Sequence, residues 1–202
     1  MRLFNRVPNN PVLKPEDWPY PINSVFNPGV IRVADGKTVL LCRCEDFRGI
    51  SHLTKAVSDD GETNWQIDDK PFMESCPDRY PEELWGIEDA RITYVDDLEQ
   101  YVIAYTAFGE GGPGVALAFT RDFKKVKRRG LVMQPDDKDA ALFPRRFKDG
   151  FALIHRPSTT ERADMWISYS PDLKNWGMPK LVAKARRGAW WDANKIGLSP
   201  PP

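Results

Sequence analysis

Ala90-Arg91-Ile92-Thr93-Tyr94-Val95, a turn at Asp96-Asp97, and Tyr101-Val102-Ile103-Ala104-Tyr105-Thr106 decide the fold. Two apolar runs rich in β-branched and aromatic side chains flank an acidic turn, which is the signature of a β-hairpin. The same form occurs upstream, where Pro28-Gly29-Val30-Ile31-Arg32-Val33 turns at Asp35-Gly36 into residues 38–43. It occurs again downstream, where Pro144-Arg145-Arg146-Phe147 turns at Asp149-Gly150 into residues 151–156. A second signature follows each hairpin: a serine or threonine, a one-residue gap and an aspartate, twice with a tryptophan after it. Its copies are Ser58-Asp59-Asp60 with Trp65, Thr120-Arg121-Asp122 with Phe123, and Ser170-Pro171-Asp172 with Trp176. The hydroxyl and carboxylate can satisfy the amides of a turn while the ring packs under the next sheet.

From Pro28 to Ala90 to Pro144 the steps are 62 and 54 residues, about one four-stranded propeller blade with long loops. No window of helical periodicity interrupts the pattern, which excludes alternating strands and helices. The expected fold is therefore all-β, a β-propeller, with an ordinary β-sandwich as the alternative. A further step of 57 residues reaches Pro201, where a fourth repeat would begin. Three blades do not close a ring, and an open edge exposes unpaired backbone. The expectation is that this chain supplies about the first three blades of a longer protein, or that a partner chain completes it. Residues 1–23, rich in proline and without periodicity, read as an irregular arm ahead of a propeller domain over residues 24–202.

The 29 basic and 29 acidic residues cancel, so neither nucleic acid nor a polybasic membrane contact is expected. No apolar run reaches membrane-spanning length, and Met1-Arg2-Leu3-Phe4-Asn5-Arg6 does not open a secretory leader. Cys42, Cys44 and Cys76 are an odd number, and the Cys-x-Cys spacing within one strand does not suit a disulfide. Free thiols and a cytoplasmic location follow. Eighteen prolines, 14 glycines and seven tryptophans fit short strands, turns and flat aromatic surfaces suited to sugars.

Chemistry gathers at Trp85-Gly86-Ile87-Glu88-Asp89-Ala90-Arg91. Strand alternation would send Glu88 and Asp89 to opposite sides, one pairing with Arg91 and the other facing a cleft. A carboxylate walled by Trp85 would lose hydration and stay protonated, as a general acid must. Loops at one end of a propeller converge, which brings together Asn27, Arg43, Glu45, Asp89, Lys138, Asp139, His155, Arg156, Asp192 and Lys195, with walls from Trp85, Trp190 or Trp191. One acid facing several cations is unusual for a hydrolase, which needs a second carboxylate to activate water. An anionic nucleophile such as inorganic phosphate needs no base, only positive charge to seat it. Glycine-rich phosphate loops, His-Glu-x-x-His, Cys-x-x-Cys and Gly-x-Ser-x-Gly are all missing, so nucleotide, zinc and serine-nucleophile chemistries have no support, and no metal or organic cofactor is expected.

Asn27-Pro28-Gly29-Val30, Gly86-Ile87-Glu88-Asp89-Ala90-Arg91-Ile92, Tyr105-Thr106-Ala107, residues 138–144, His155-Arg156-Pro157, Ser170-Pro171-Asp172-Leu173 with Trp176, and Lys195-Ile196-Gly197 together resemble glycoside hydrolase family 130. The likeness runs in order over roughly residues 24 to 202. It implies a five-bladed propeller and an inverting glycoside phosphorylase that attacks β-mannosidic bonds with phosphate and releases α-mannose 1-phosphate. Asp89 would be the general acid, its proton passing through a sugar hydroxyl. Asn27 and Arg43 would hold the mannose, with Glu88 and Asp139 counted beside them as substrate-binding. Lys138, Arg156 and Lys195 would fall at the phosphate-binding positions, which hydrolytic relatives tend to lose. Ala90 replaces a proline that many relatives carry, and the family's downstream Tyr-His-Gly would lie beyond Pro202. The implied partners are a β-mannoside oligosaccharide or conjugate and phosphate, with a homo-oligomer open to a proline-rich arm that reaches a neighbour. A β-mannosidase using Glu45 or another carboxylate as base, and a non-catalytic carbohydrate-binding propeller, stand as the alternatives.

Overall fold

The computed structural model describes residues 5–202, and among these all regular structure apart from three short 3-10 turns is β. Twelve strands form three four-stranded antiparallel meanders, each in simple sequence order. The first contains β1 (Ser24–Arg32), β2 (Thr38–Glu45), β3 (Ser51–Ser58) and the short β4 (Gln66–Ile67). The second contains β5 (Ile87–Val95), β6 (Gln100–Gly109), β7 (Gly112–Thr120) and β8 (Lys127–Met133). The third contains β9 (Asp137–Phe147), β10 (Gly150–Pro157), β11 (Met165–Ser170) and β12 (Gly177–Ala183). The leading strands β1, β5 and β9 pack on one another in that order, so the three sheets fan out from a common line.

The middle sheet explains the apolar run 101–107 that opened the reading. Tyr101, Ile103, Tyr105 and Ala107 on β6 face the first sheet and pack with Leu41, Leu53, Met73 and Ile92. Val102 and Ala104, pointing the other way, pack with Leu117, Leu142 and Leu153 toward the third. A strand buried on both faces has no polar side to show, hence the continuous run. Ile103, Leu117 and Leu153 are fully buried, and cutting any of them to alanine would cost about 2–5 kcal/mol. A third cluster sets Trp18 and Ile22 of the N-terminal arm on Leu40, Cys42 and Cys44. Burial there pushes the Cys42 thiol up to about 12 and the Cys44 thiol to about 11, which keeps both protonated. The first four residues of the arm, and with them most of the Met1–Arg6 reading, lie outside the described residues.

The hydroxyl-x-aspartate signature forms three equivalent turns. Asp60 Oδ1 accepts the amides of Glu62 and Thr63, Asp122 Oδ1 those of Lys124 and Lys125, and Asp172 Oδ1 those of Lys174 and Asn175. The next residue is left-handed each time: Gly61 at φ 78°, Phe123 at φ 51° and Leu173 at φ 61°. The Thr63 hydroxyl, which donates to Asp60 Oδ2 at 2.5 Å, together with those amides holds the Asp60 carboxyl below the usual range, and the amides do the same for Asp122 and Asp172. The tryptophans, however, do not reach under a following sheet. Trp65 joins the Trp18 and Cys42 cluster of its own sheet, and Trp176 the cluster between the second and third.

The third repeat starts earlier than its hairpin suggests. Its leading strand begins at Asp137, seven residues ahead of Pro144, because the charged Lys138-Asp139 pair interrupts the apolar alternation that marks a strand. The true equivalents are Asn27, Asp89 and Asp139, 62 and then 50 residues apart.

Candidate active site

Those three residues share one backbone device. Antiparallel pairing slips between Phe26 and Gly29 on β1, between Glu88 and Arg91 on β5, and opposite the step from Ile154 to Arg156 on β9. Within each slip the first of the two unpaired residues is left-handed: Asn27 at φ 43°, Asp89 at φ 52° and Asp139 at φ 53°. Asn and Asp tolerate that conformation better than other side chains, and such bulges re-aim what they carry. Gly29 is required beside the first one, because a Cβ there would stand 2.6 Å from the carbonyl oxygen of Ala90. The absence of that carbon lets β1 and β5 touch where Asn27 meets Asp89.

Arg43, on β2 opposite Phe26, organises the first two bulges. Its Nη1 donates to Asp89 Oδ1 at 3.1 Å, its Nη2 to Glu88 Oε1 at 2.9 Å, and its Nε to Ser51 Oγ at 2.9 Å. The guanidinium also lies 4.5 Å over the Phe26 ring and 3.9 Å from Glu45. Asn27 Nδ2 donates to Asp89 Oδ1 at 3.0 Å. Asp89 is thus held through one oxygen, while its Oδ2 has no hydrogen bond among the described residues. Glu88 and Asp89 are both 8% exposed. Burial raises the Glu88 carboxyl above its ordinary value, against the pull of the Arg43 and Lys138 charges and with a push from Asp89 and Glu45. Lys138 is therefore close enough for its charge to act on Glu88.

Two expectations are corrected here. Glu88 and Asp89 do not divide between Arg91 and a cleft; one guanidinium, Arg43, takes both, because the bulge breaks strict alternation. Arg91 instead donates to the backbone carbonyls of Asp89 and Ala90. Nor does Trp85 wall the acids, since it is 44% exposed and packs edge-on against Phe108. The acids are dried by the packing of β1 on β5.

The third bulge carries its own ion pair. Arg156, opposite Lys138 on β10, donates through Nε at 2.8 Å and Nη2 at 2.7 Å to Asp139 Oδ2. Its backbone amide donates to Asp137 Oδ1 at 3.1 Å, and Asp137 Oδ2 bonds His155 Nδ1 at 2.5 Å. His155 Nε2 meets Ser168 Oγ at 2.9 Å, and Asp137, His155 and Ser168 are all buried. This sequestered Asp-His-Ser chain fixes the strands under Arg156 and offers no nucleophile to solvent. Lys195-Ile196-Gly197 runs alongside: Ile196 N donates to Ala163 O at 3.0 Å, and a Cβ on Gly197 would fall 2.8 Å from Asp139 Oδ2. Lys195 itself is exposed.

The structure therefore joins Asn27, Arg43, Glu88 and Asp89 in one hydrogen-bonded cluster and Asp139 with Arg156 in a second, with Lys138 acting on the first and Lys195 near the second. No hydrogen bond or ion pair among the described residues links the two. Asp139 serves as counter-ion to Arg156. Asp192 stands apart, buried and gripped by Arg186, on which Trp190 stacks at 4.4 Å while Trp191 is 88% exposed. Sequence reading missed Ser51, Phe26 and Asp137. The acidic run at 136–139 signalled Asp137, but nothing local signalled Ser51, which matters only through a partner on the neighbouring strand. No grouping of three or more His, Cys, Asp or Glu suited to a metal ion occurs among the described residues.

The arrangement offers a buried acid with one free oxygen at one bulge and cations around the next. Residues 3–202 match the glycoside hydrolase 130 family model, described as beta-1,4-mannooligosaccharide phosphorylase. A 1,2-beta-oligomannan phosphorylase of Thermoanaerobacter sp. (strain X514) is 33% identical over 215 residues, covering 100% of this chain and 68% of the relative. A beta-1,4-mannooligosaccharide phosphorylase of Ruminococcus albus is 31% identical over 201 residues, covering 96% of this chain and 58% of the relative. Among solved structures, the beta-1,2-mannobiose phosphorylase of Listeria innocua in complex with beta-1,2-mannobiose superposes with a TM-score of 0.82 at 25% identity, over 94% of this chain and 69% of that one.

Proposed function

We infer the function from a premise that the family match secures: the chain belongs to glycoside hydrolase family 130. It acts as an inverting phosphorylase on β-mannosidic bonds, using inorganic phosphate to release α-mannose 1-phosphate. The observation that carries this reading is the state of Asp89, anchored through Oδ1 by Asn27 and Arg43 with Oδ2 free. A fixed carboxyl with one unengaged oxygen can protonate the departing glycosidic oxygen, an effect typically worth 10²–10⁴-fold in rate. Asn27, Arg43 and Glu88 hold the sugar beside it.

Lys138, Arg156 and Lys195 seat the phosphate on the opposite side, where it displaces the leaving group directly. A single displacement turns the β-anomer into the α-phosphate, and a nucleophile that arrives as an anion needs no general base. The three fanned meanders support a propeller, five-bladed as the resemblance implies, of which these sheets are the first three. The chain spans 58% to 69% of the three compared relatives, so the activity is proposed for the protein to which it corresponds. A cytoplasmic site of action accords with its three free cysteines.

The test is incubation with β-1,2- and β-1,4-mannobiose, with and without phosphate. Phosphate-dependent formation of α-mannose 1-phosphate is expected. Turnover indifferent to phosphate would instead favour a hydrolase with Glu45, at 3.9 Å from Arg43, as base. Sugar binding without any turnover would leave a carbohydrate-binding module.

A further inference from the structure

A cleft of about 590 Å³ opens between the second and third sheets, at the end of the strands away from the acid cluster. Asp89 stands near the start of β5 and Asp97 just beyond its end, and strand rise puts roughly 25 Å between them. The cleft exists because two side chains change within a repeated frame. Tyr94 and Tyr101 face each other at the far end of β5 and β6, and the left-handed residue of that sheet's aspartate turn is Phe123. The Tyr101 ring stacks at 4.9 Å on Tyr94 and at 4.7 Å on Phe123, which meets Phe72 at 6.3 Å, so rings fill this place against the first sheet. The same places in the third sheet hold Arg146, Phe151 and Leu173. An arginine for a tyrosine and a leucine for a phenylalanine leave the gap toward the second sheet open.

Lys127, Arg128, Arg129 and Arg146 line the cleft, against the carboxylates of Asp97 and Asp172. Arg128 is neutralised by Glu83, but Lys127, Arg129 and Arg146 are exposed and have no ion pair among the described residues. Two of the three are held in place. The Arg129 guanidinium lies 5.5 Å from the centre of the Phe119 ring and that of Arg146 5.3 Å from the centre of Phe151, both rings being buried in the floor of the cleft. Arg146 Nη2 also donates to Pro171 O at 3.3 Å. The carboxylates differ from each other. Asp172 engages the Lys174 and Asn175 amides through Oδ1 and Asn175 Nδ2 through Oδ2. Asp97 Oδ2 accepts the Arg146 amide at 3.1 Å, while its Oδ1 has no hydrogen bond among the described residues.

We propose that this cleft is a second ligand site, separate from the acid cluster, for a phosphate monoester of a sugar or similar polyol. Three cations without counter-ions, two of them planar guanidinium forks steadied on rings, match the oxygens of a phosphate ester, which carries about two negative charges at neutral pH. Inorganic phosphate alone would leave most of the space empty, because a cleft of this volume is the size of a small-molecule site. The remainder of the ligand is neutral and hydroxyl-bearing: Asp97 Oδ1 and the half-buried Gln100 can accept from hydroxyls, and the two carboxylates repel a second anionic group. A nucleotide is a poorer fit. Phe119 and Phe151 lie beneath the guanidinium groups and present no bare face on which a base could stack.

The test is calorimetric titration of the full-length protein with glucose 6-phosphate, a probe chosen because α-mannose 1-phosphate would also occupy the site at Asp89. Binding is expected, and it should weaken about tenfold in each of Arg129→Gln, Arg146→Gln and Lys127→Gln, one charge-assisted contact being of the order of a tenfold change. Lys127 is exposed and its variant reads the charge alone, so the test survives even if Arg146→Gln loosens the fold. Glucose and inorganic phosphate, titrated in parallel, should each bind at least about tenfold more weakly than the ester. No binding of glucose 6-phosphate, binding unchanged by all three substitutions, or glucose or inorganic phosphate binding as tightly as the ester would each overturn the proposal. So would binding abolished by Arg156→Gln and untouched by the three cleft substitutions, which would put the ester in the phosphate seat of the third bulge.

Discussion

The bulges on β1 and β5 and the bulge on β9 use the same backbone to opposite ends. In the first sheet the arginine opposite the bulge, Arg43, reaches across to the carboxylates of the next sheet. In the third, Arg156 sits at the equivalent position opposite Lys138 but folds back onto the bulge's own residue, Asp139. The second sheet has Thr106 there, with no charge at all. A left-handed residue re-aims a side chain; the sign of that side chain and of its neighbour across the ladder then decides whether the place becomes an acid or an anion seat.

The strongest test of this contrast is Asp89→Asn. The amide keeps an acceptor for Asn27 and Arg43 but cannot give up a proton, so kcat for phosphorolysis should fall by about 10³-fold while mannobiose affinity stays within a few-fold. Loss of affinity in step with rate would mean that Asp89 shapes the site and does not act on the bond. Arg43→Ala comes next. It removes the shared counter-charge from two carboxylates that are each 8% exposed, and breaking such a buried pair costs about 3–5 kcal/mol. Thermal unfolding should therefore show a melting temperature about 10 °C lower, and Arg43→Lys should rescue only part of it, because an ammonium cannot serve Asp89, Glu88 and Ser51 in three fixed directions. A melting temperature unchanged by Arg43→Ala would show that solvent replaces the guanidinium.

On the other side of the comparison, Gly197→Ala crowds Asp139 and Arg156 without touching the acid cluster. The added carbon would meet Asp139 Oδ2 at 2.8 Å and Arg156 Nε at 3.3 Å. KM for phosphate should rise roughly fivefold to tenfold with KM for mannobiose nearly constant, a split of about 1 kcal/mol. Both constants moving together would show that the two bulges are not separable in function.

Much of this was legible before any coordinates. Alternation and turn chemistry marked the hairpins because a strand pays for burial with a fixed period of two, and the hydroxyl-x-aspartate turns formed with their amide bonds as expected. The positions Asn27, Arg43, Asp89, Lys138, Asp139 and Arg156 came from the resemblance and from the register of repeats. What escaped was the consequence of the bulges. An assumption of regular pleat gave Arg91 to the acids and delayed the third repeat to Pro144, since the pleat is what breaks at Asp89 and Asp139. Pro28-Gly29 inside an apolar strand was the available hint, for such residues mark bulges and close approaches. Ser51, Phe26 and the exposure of Trp85 depend on which strand lies beside which, and no local pattern encodes that.

The smallest effect expected concerns Glu88, and it sharpens the comparison because Arg43 and burial pull on this carboxyl in opposite senses. Burial wins, so the folded chain holds the Glu88 proton more tightly than the ordinary value of 4.5. Below that value the group is neutral in both states. As pH climbs from there through the raised folded value, the unfolded chain has already released a proton that the folded chain must give up at a cost, so the stability contributed by Glu88 declines and then levels off. Glu88→Gln cannot ionise, yet its side-chain oxygen can still accept from Arg43 Nη2. The melting temperature of the variant minus that of wild type should therefore rise between about pH 4.5 and 7, by no more than a few degrees, when followed by scanning calorimetry at half-unit steps. A difference that falls over the same range would mean that the attraction of Arg43 and Lys138 exceeds the cost of burial.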